Sequence, residues 1–197
     1  MKNFKNLLFF SIFILLSSCG KTIDMDDEKE YIIESNNIMS YKGIPFTGKS
    51  VQYYDGDKTK LYTKGTFKDG KLEGLFESYY KNGQLRVKGT LKDEERDGLL
   101  EEYYENGQLH RKGTFKDGKG DGPFESYFEN GQLFYKRSYK YEKLNGLFEE
   151  YFENGQLLKK GTFKDGENDG LYEQYSENGQ LVKKGTYKDG VYTSLTK

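Results

Sequence analysis

The chain has 197 residues, 32% charged, 16% aromatic and 34% hydrophobic, with no Trp and a formal charge of −1. It is too polar for a thick globular core and too aromatic for a disordered chain. A single-layer sheet with half-buried tyrosines satisfies both limits, and the near-neutral balance argues against a nucleic-acid partner, which wants a basic patch.

Residues 1–18 differ in kind from the rest. Lys2 and Lys5 precede an apolar run from Leu7 to Leu16 that is interrupted by one serine. The run is too short to span a membrane as a helix and reads as a secretory signal. The ending Leu16-Ser17-Ser18-Cys19 resembles the lipobox of bacterial lipoproteins. That resemblance implies cleavage before Cys19, lipidation of Cys19, and membrane attachment through the N-terminal lipid. The expected location is the cell envelope, lipid-anchored at the outer membrane, with surface exposure left open. The alternative is an ordinary signal peptide with an incidental cysteine. As the lone cysteine, Cys19 leaves no internal disulfide. Losing Lys2 and Lys5 takes the formal charge from −1 to −3.

Residues 19–30 carry Asp24, Asp26, Asp27, Glu28 and Glu30. They read as a solvated, flexible acidic tether. They also resemble the surface-export signal of some bacterial lipoproteins. Folding is expected from Tyr31, so that residues 31–197 form the repeat domain. Tyr53-Tyr54-Asp55-Gly56 opens a degenerate first repeat, as expected of a capping unit.

Asn-Gly pairs then recur every 24 residues, at Asn82-Gly83, Asn106-Gly107, Asn130-Gly131, Asn154-Gly155 and Asn178-Gly179. Such a period marks a stacked repeat architecture. Each pair lies between aromatic-rich and aliphatic runs, a hairpin signal that predicts a two-residue type I′ turn with positive φ at both central residues. That loop sets Tyr80 opposite Leu85, Glu77 opposite Lys88 and Phe76 opposite Gly89. Alternation then places Phe76, Tyr80, Leu85, Gly89 and Leu91 on one face, with Glu77, Tyr79, Arg86, Lys88 and Thr90 on the other. The same register pairs Glu101, Glu125, Glu149 and Glu173 with Lys112, Lys136, Lys160 and Lys184, and sets aromatics over strand glycines. The connections between hairpins, such as Lys116 to Gly122, read as longer Asp/Gly/Lys loops. Two repeats depart from the pattern: Lys92 to Gly98 lacks the middle glycine, and Arg137 to Gly146 lacks both the strand glycine and the Lys-Asp-Gly turn.

The pattern Gly-x-[Phe/Tyr]-Glu-x-Tyr-[Tyr/Phe]-x-Asn-Gly-Gln-Leu followed by Lys-Gly-Thr-[Phe/Tyr] resembles the bacterial variant of the MORN repeat over about residues 41–190. The same repeats build the YwqK-type antitoxins. The resemblance implies an all-β, elongated single-layer antiparallel sheet of tandem hairpins, used for binding or as a scaffold.

The residues show no catalytic constellation. His110 is the single histidine and reads as a surface substitution, so no nucleophilic triad can be assembled. The repeat glutamates read as a structural ion-pair ladder rather than a glycosidase pair. Asp117 to Gly122 and Asp165 to Gly170 begin like calcium loops, but Phe128 and Ser176 stand where the bidentate glutamate belongs. The expectation is therefore no enzyme, no cofactor and no metal. Tyr79, Tyr103, Tyr127, Tyr151 and Tyr175 form a row on the polar face. They either cover backbone and lysine stems or serve as a binding strip for a protein partner. A lipid-anchored binding or scaffold protein is the leading expectation. A toxin-neutralising antitoxin or immunity-type protein is the alternative.

Overall fold

A computed structural model describes residues 21–26, 31–33 and 38–195. Cys19 and the apolar run before it lie outside the described residues. A seventeen-stranded sheet accounts for nearly the whole chain, and a three-stranded sheet stands beside it. From Gly48–Tyr53 onward each main strand pairs antiparallel with the next: Leu61–Lys68, Lys71–Tyr79, Leu85–Lys92, Gly98–Tyr103 and so on to Val191–Ser194. The sheet is not closed into a barrel. It is the expected all-β sheet of hairpins.

The two turns of each repeat are the reverse of the sequence expectation. The type I′ turn falls at Asp-Gly: Lys68 pairs Lys71, and Asp69 and Gly70 sit at φ +49 and +82. What reads as a long connection is thus a tight hairpin. At Asn82-Gly83 only the glycine has positive φ, at +88. Gly83 N–H donates to Tyr80 O at 2.9 Å, and Tyr80 N–H donates to Gln84 O at 2.8 Å. This is a three-residue loop, a type I turn closed by a bulge glycine.

That loop alone would displace the register by one. A bulge restores it. Tyr79 pairs Leu85, the register shifts, and Ser78 pairs Val87. Arg86 is the extra residue. The two offsets cancel, so Glu77 faces Lys88 and Phe76 faces Gly89 as expected. The residues beside the bulge exchange faces. Leu85 shares the side of Tyr79, while Arg86 Nε donates to Ser78 Oγ at 3.2 Å on the side of Phe76. A second irregularity lies between the Gly65–Phe76 and Phe67–Leu72 pairs, where Gly74 has φ +95. Gly98, Gly122, Gly146 and Gly170 repeat it, which explains why each copy opens on glycine.

With one layer, burial comes from neighbouring strands. A Cβ on Gly89 would lie 2.8 Å from Leu100 Cδ1 and 2.9 Å from Phe76 Cε1; one on Gly161 would lie 2.7 Å from Phe148 Cε1. The side chains leave no room for more than hydrogen at these strand positions. The compact apolar core is at the N-terminal end, where Ile23, Met39 and Phe46 are each 2% exposed. Met25, Tyr41 and Phe67 pack against these three, so the core joins Thr22–Asp24 and Met39–Tyr41 to the start of the long sheet. Thr22–Asp24 pairs parallel with Gly48–Tyr53. Asp26 Oδ2 accepts from Tyr53 N–H at 2.8 Å, and Asp24 ion-pairs with Lys58. Over Lys21 to Asp26, the segment expected as a solvated tether is therefore an edge strand whose carboxylates satisfy edge donors.

Candidate functional site

One row crosses the sheet from strand to strand: Lys64, Glu77, Lys88, Glu101, Lys112, Glu125, Lys136, Glu149, Lys160, Glu173, Lys184. Each is the cross-strand partner of the next. Every glutamate therefore has a lysine on both sides. The contact the structure makes is mostly with the lysine of the preceding hairpin: Lys64–Glu77 at 3.3 Å, Lys112–Glu125 at 2.8 Å and Lys160–Glu173 at 3.0 Å. The within-hairpin pair expected from the turn is close at Lys184–Glu173, 3.0 Å.

The tyrosine row explains the lean. Tyr79, Tyr127, Tyr151 and Tyr175 donate their hydroxyls to Glu77, Glu125, Glu149 and Glu173 at 2.7, 2.5, 2.9 and 2.6 Å. Lys64 Nζ also donates to the Tyr79 hydroxyl at 2.9 Å. Burial, with Glu101 beside it, raises Tyr103. Burial and the Glu149 carboxylate push Tyr151 up to about 12. Glu173 is held down at about 2 by the Tyr175 hydroxyl, then by Lys160 and Lys184. Tyr151 is thus a donor and Glu173 an acceptor throughout the neutral range. The hydroxyls of these four tyrosines are committed to the ladder; their rings remain half-exposed.

Sequence reasoning missed the next column on this face. Leu75, Leu99, Leu147 and Leu171 are 44%, 48%, 72% and 46% exposed, with Pro123 completing the series. Two strand spacings, about 10 Å, separate successive members. The signal was present in the period: each leucine immediately precedes the residue that turns inward, Phe76, Leu100, Phe148 or Tyr172.

The opposite face is aromatic and cationic. It holds all four arginines of the chain, Arg86, Arg96, Arg111 and Arg137. Lys159 lies there too, opposite Glu150, and Lys183 lies opposite Gln174 with its ammonium over Tyr192; Glu102 is the partner of Arg111. His110 is half-buried with its ring 4.4 Å from that of Tyr104, so it belongs to this packing rather than to open surface. Tyr80 and Tyr104 donate their hydroxyls to Tyr103 O and Tyr127 O in the following repeat, at 2.7 and 2.8 Å.

Asp117 and Asp165 are first central residues of tight turns, at φ +48 and +51. Among the described residues no group of three His, Cys, Asp or Glu side chains could hold a metal. No helix among them is long and apolar enough to cross a membrane.

One hairpin and two turns per period, paired into one sheet and bonded repeat to repeat, define an all-β tandem-repeat module. The MORN repeat variant family matches residues 72–93, 96–117, 120–141, 144–165 and 168–189, and the chain belongs to it. This repeat fold is not a known enzyme family. No curated protein matches the chain.

Proposed function

We propose that the protein is a non-enzymatic binding or scaffold module, acylated at Cys19, held at a bacterial outer membrane, and offering its repeat sheet to a protein partner. The observation that supports this most is the exposed leucine column beside the half-exposed tyrosine rings. It is a periodic apolar strip on a face whose charges already satisfy one another. Contiguous apolar exposure rimmed by polar residues marks contact surfaces, and tyrosine rings add rigid contact area. On this reading the hydroxyls hold the ladder, while ring faces and leucines meet the partner.

The test is a pull-down from envelope extract with the domain from residue 19, compared with a variant carrying Tyr103, Tyr127 and Tyr151 all replaced by Ser. The expected result is loss of the partner with a folded sheet. A folded triple variant that keeps the partner overturns this use of the face. Anchoring is tested separately. Cys19→Ala should move the protein from the membrane to the soluble fraction, because acyl chains contribute roughly 0.8 kcal/mol per buried CH₂. A toxin recovered in the pull-down, and released by the same triple substitution, would make the protein its neutraliser rather than a scaffold.

A further inference from the structure

We propose that the arginine-bearing face is a second docking surface, and that its partner is an acidic segment of another protein. The central row of the ladder face uses lysine alone and alternates it with glutamate. The other face concentrates every arginine of the chain. Arginine is the residue suited to forked recognition of carboxylates and to stacking on aromatic rings. Arg86 lies over Tyr62 at 5.9 Å, Arg96 over Phe115 at 5.4 Å and Arg137 over Tyr135 at 4.2 Å. A ring beneath the guanidinium fixes its plane and leaves N–H edges free to meet a ligand.

The two carboxylates on this face do not satisfy it. Glu102 holds Arg111 at 2.7 Å. Glu150 holds Lys159 at 2.9 Å and reaches Arg137 only at 3.7 Å. Arg96 has no carboxylate within ion-pair distance among the described residues, and it borders a recess of about 80 Å³ lined also by Arg111 with its partner Glu102 and walled by Leu100, Phe115 and Phe124. That volume suits the tip of an acidic side chain. Arg111 and Arg137 stand two strands apart and in adjacent rows of this face, Arg111 with Ser126 and Tyr135 and Arg137 with Phe124 and Gly113, so an acidic segment crossing the strands meets both.

The regular pattern breaks at the same place. Arg137 occupies a column that holds glycine at Gly89, Gly113, Gly161 and Gly185, and its strand also bears Phe134 and Tyr135. The adjoining turn puts Tyr141 and Glu142 at φ +49 and +66 with no glycine. Local rules given up at one site are the pattern expected of a functional surface. Aromatic residues and arginine are also the types that dominate binding energy at protein interfaces.

The probe is a fluorescein-labelled Glu-Ser-Leu repeat peptide, with its Gln-Ser-Leu counterpart and oligothymidine as controls, read by fluorescence anisotropy. The Glu peptide should bind, and more weakly as salt rises. Arg96→Gln with Arg137→Gly should weaken it by about tenfold or more, the scale of one charge-assisted contact. Arg137→Gly restores the residue of the other repeats, so the fold should survive. The paired Arg→Lys variants should lose less, since charge remains and the fork is gone. The ladder-face triple Tyr→Ser variant should bind the Glu peptide normally, separating this surface from the one above. Equal binding of the Gln peptide, undiminished binding by the double variant, tighter binding of oligothymidine, or no binding of the Glu peptide would each overturn the proposal.

Discussion

Most repeats end in two turns that look alike in sequence, Asn-Gly on one side of the sheet and Asp-Gly on the other, and the two are held in different ways. At Asp165-Gly166 both residues have positive φ, and the tie to the preceding repeat is a main-chain one, Gly166 N–H donating to Leu144 O at 2.9 Å. At Asn130-Gly131 only Gly131 does, and the asparagine side chain bonds in two directions. Its Oδ1 accepts from Gln132 N–H at 2.8 Å, and its Nδ2 donates to Glu153 O in the next repeat at 3.3 Å. Asn82, Asn106 and Asn154 do the same. Both rows also fasten each hairpin to its neighbour, the Asp-Gly row through a main-chain bond such as Gly118 N–H to Arg96 O at 3.0 Å, the Asn-Gly row through a second, side-chain bond. A single-layer sheet has little core to hold repeats together, so that second bond falls to the turn.

The largest expected effect comes from Gly131→Val. A β-branched residue at φ +86 is strongly disfavoured, and its Cβ would press on the Gln108 amide. The loss should be at least about 2 kcal/mol by denaturant melt, and an unchanged midpoint would mean the bulge-glycine turn is misplaced. Next come paired substitutions with opposite signs. Asn130→Gly should destabilise by about 1–2 kcal/mol, since it removes two hydrogen bonds. Asp165→Gly should be neutral or stabilising, because it relieves positive φ at a turn whose tie to its neighbour runs through the Gly166 main chain and is kept. Equal losses at both would erase the distinction. Smaller again, Glu142→Gly should stabilise by about 0.5–1 kcal/mol by placing glycine at φ +66. The exposed Lys119–Glu142 contact at 3.9 Å offers little to set against it. A destabilised variant would show that Glu142 has a role beyond the turn.

Acid tests the strip between the two rows of turns. Glu77, Glu125 and Glu173 are all held below the ordinary carboxylate range, Glu173 to about 2 from 4.5. Their folded state binds protons more weakly than the unfolded chain. The stability they supply is therefore complete above about pH 4.5 and is lost as pH falls toward 2. Urea melts at stepped pH should show that decline, and Glu173→Gln should flatten it. A decline of the same slope in the variant would place the acid sensitivity elsewhere.

Period, hairpins, faces and the Glu–Lys register were legible because strand side chains alternate and the repeats stay in phase over five Asn-Gly units. So was the cover of glycine by aromatics, which needs only the cross-strand partner. The expected register was right for an incomplete reason: a two-residue loop was assumed, whereas a three-residue loop and a bulge at Arg86 cancel. That error moved Leu85 and Arg86 to the wrong sides and hid the arginine face.

The chain by itself determined its repeat and its strand pairing, since both follow from local periodicity. Tertiary structure decided what no local pattern contains. Whether a Gly pair adopts one turn or another depends on partners such as Glu105 O, 23 residues beyond Asn82. Which lysine a glutamate holds depends on where Tyr79 aims its hydroxyl. That Lys21 to Asp26 closes an edge depends on Tyr53 presenting an N–H which needs an acceptor.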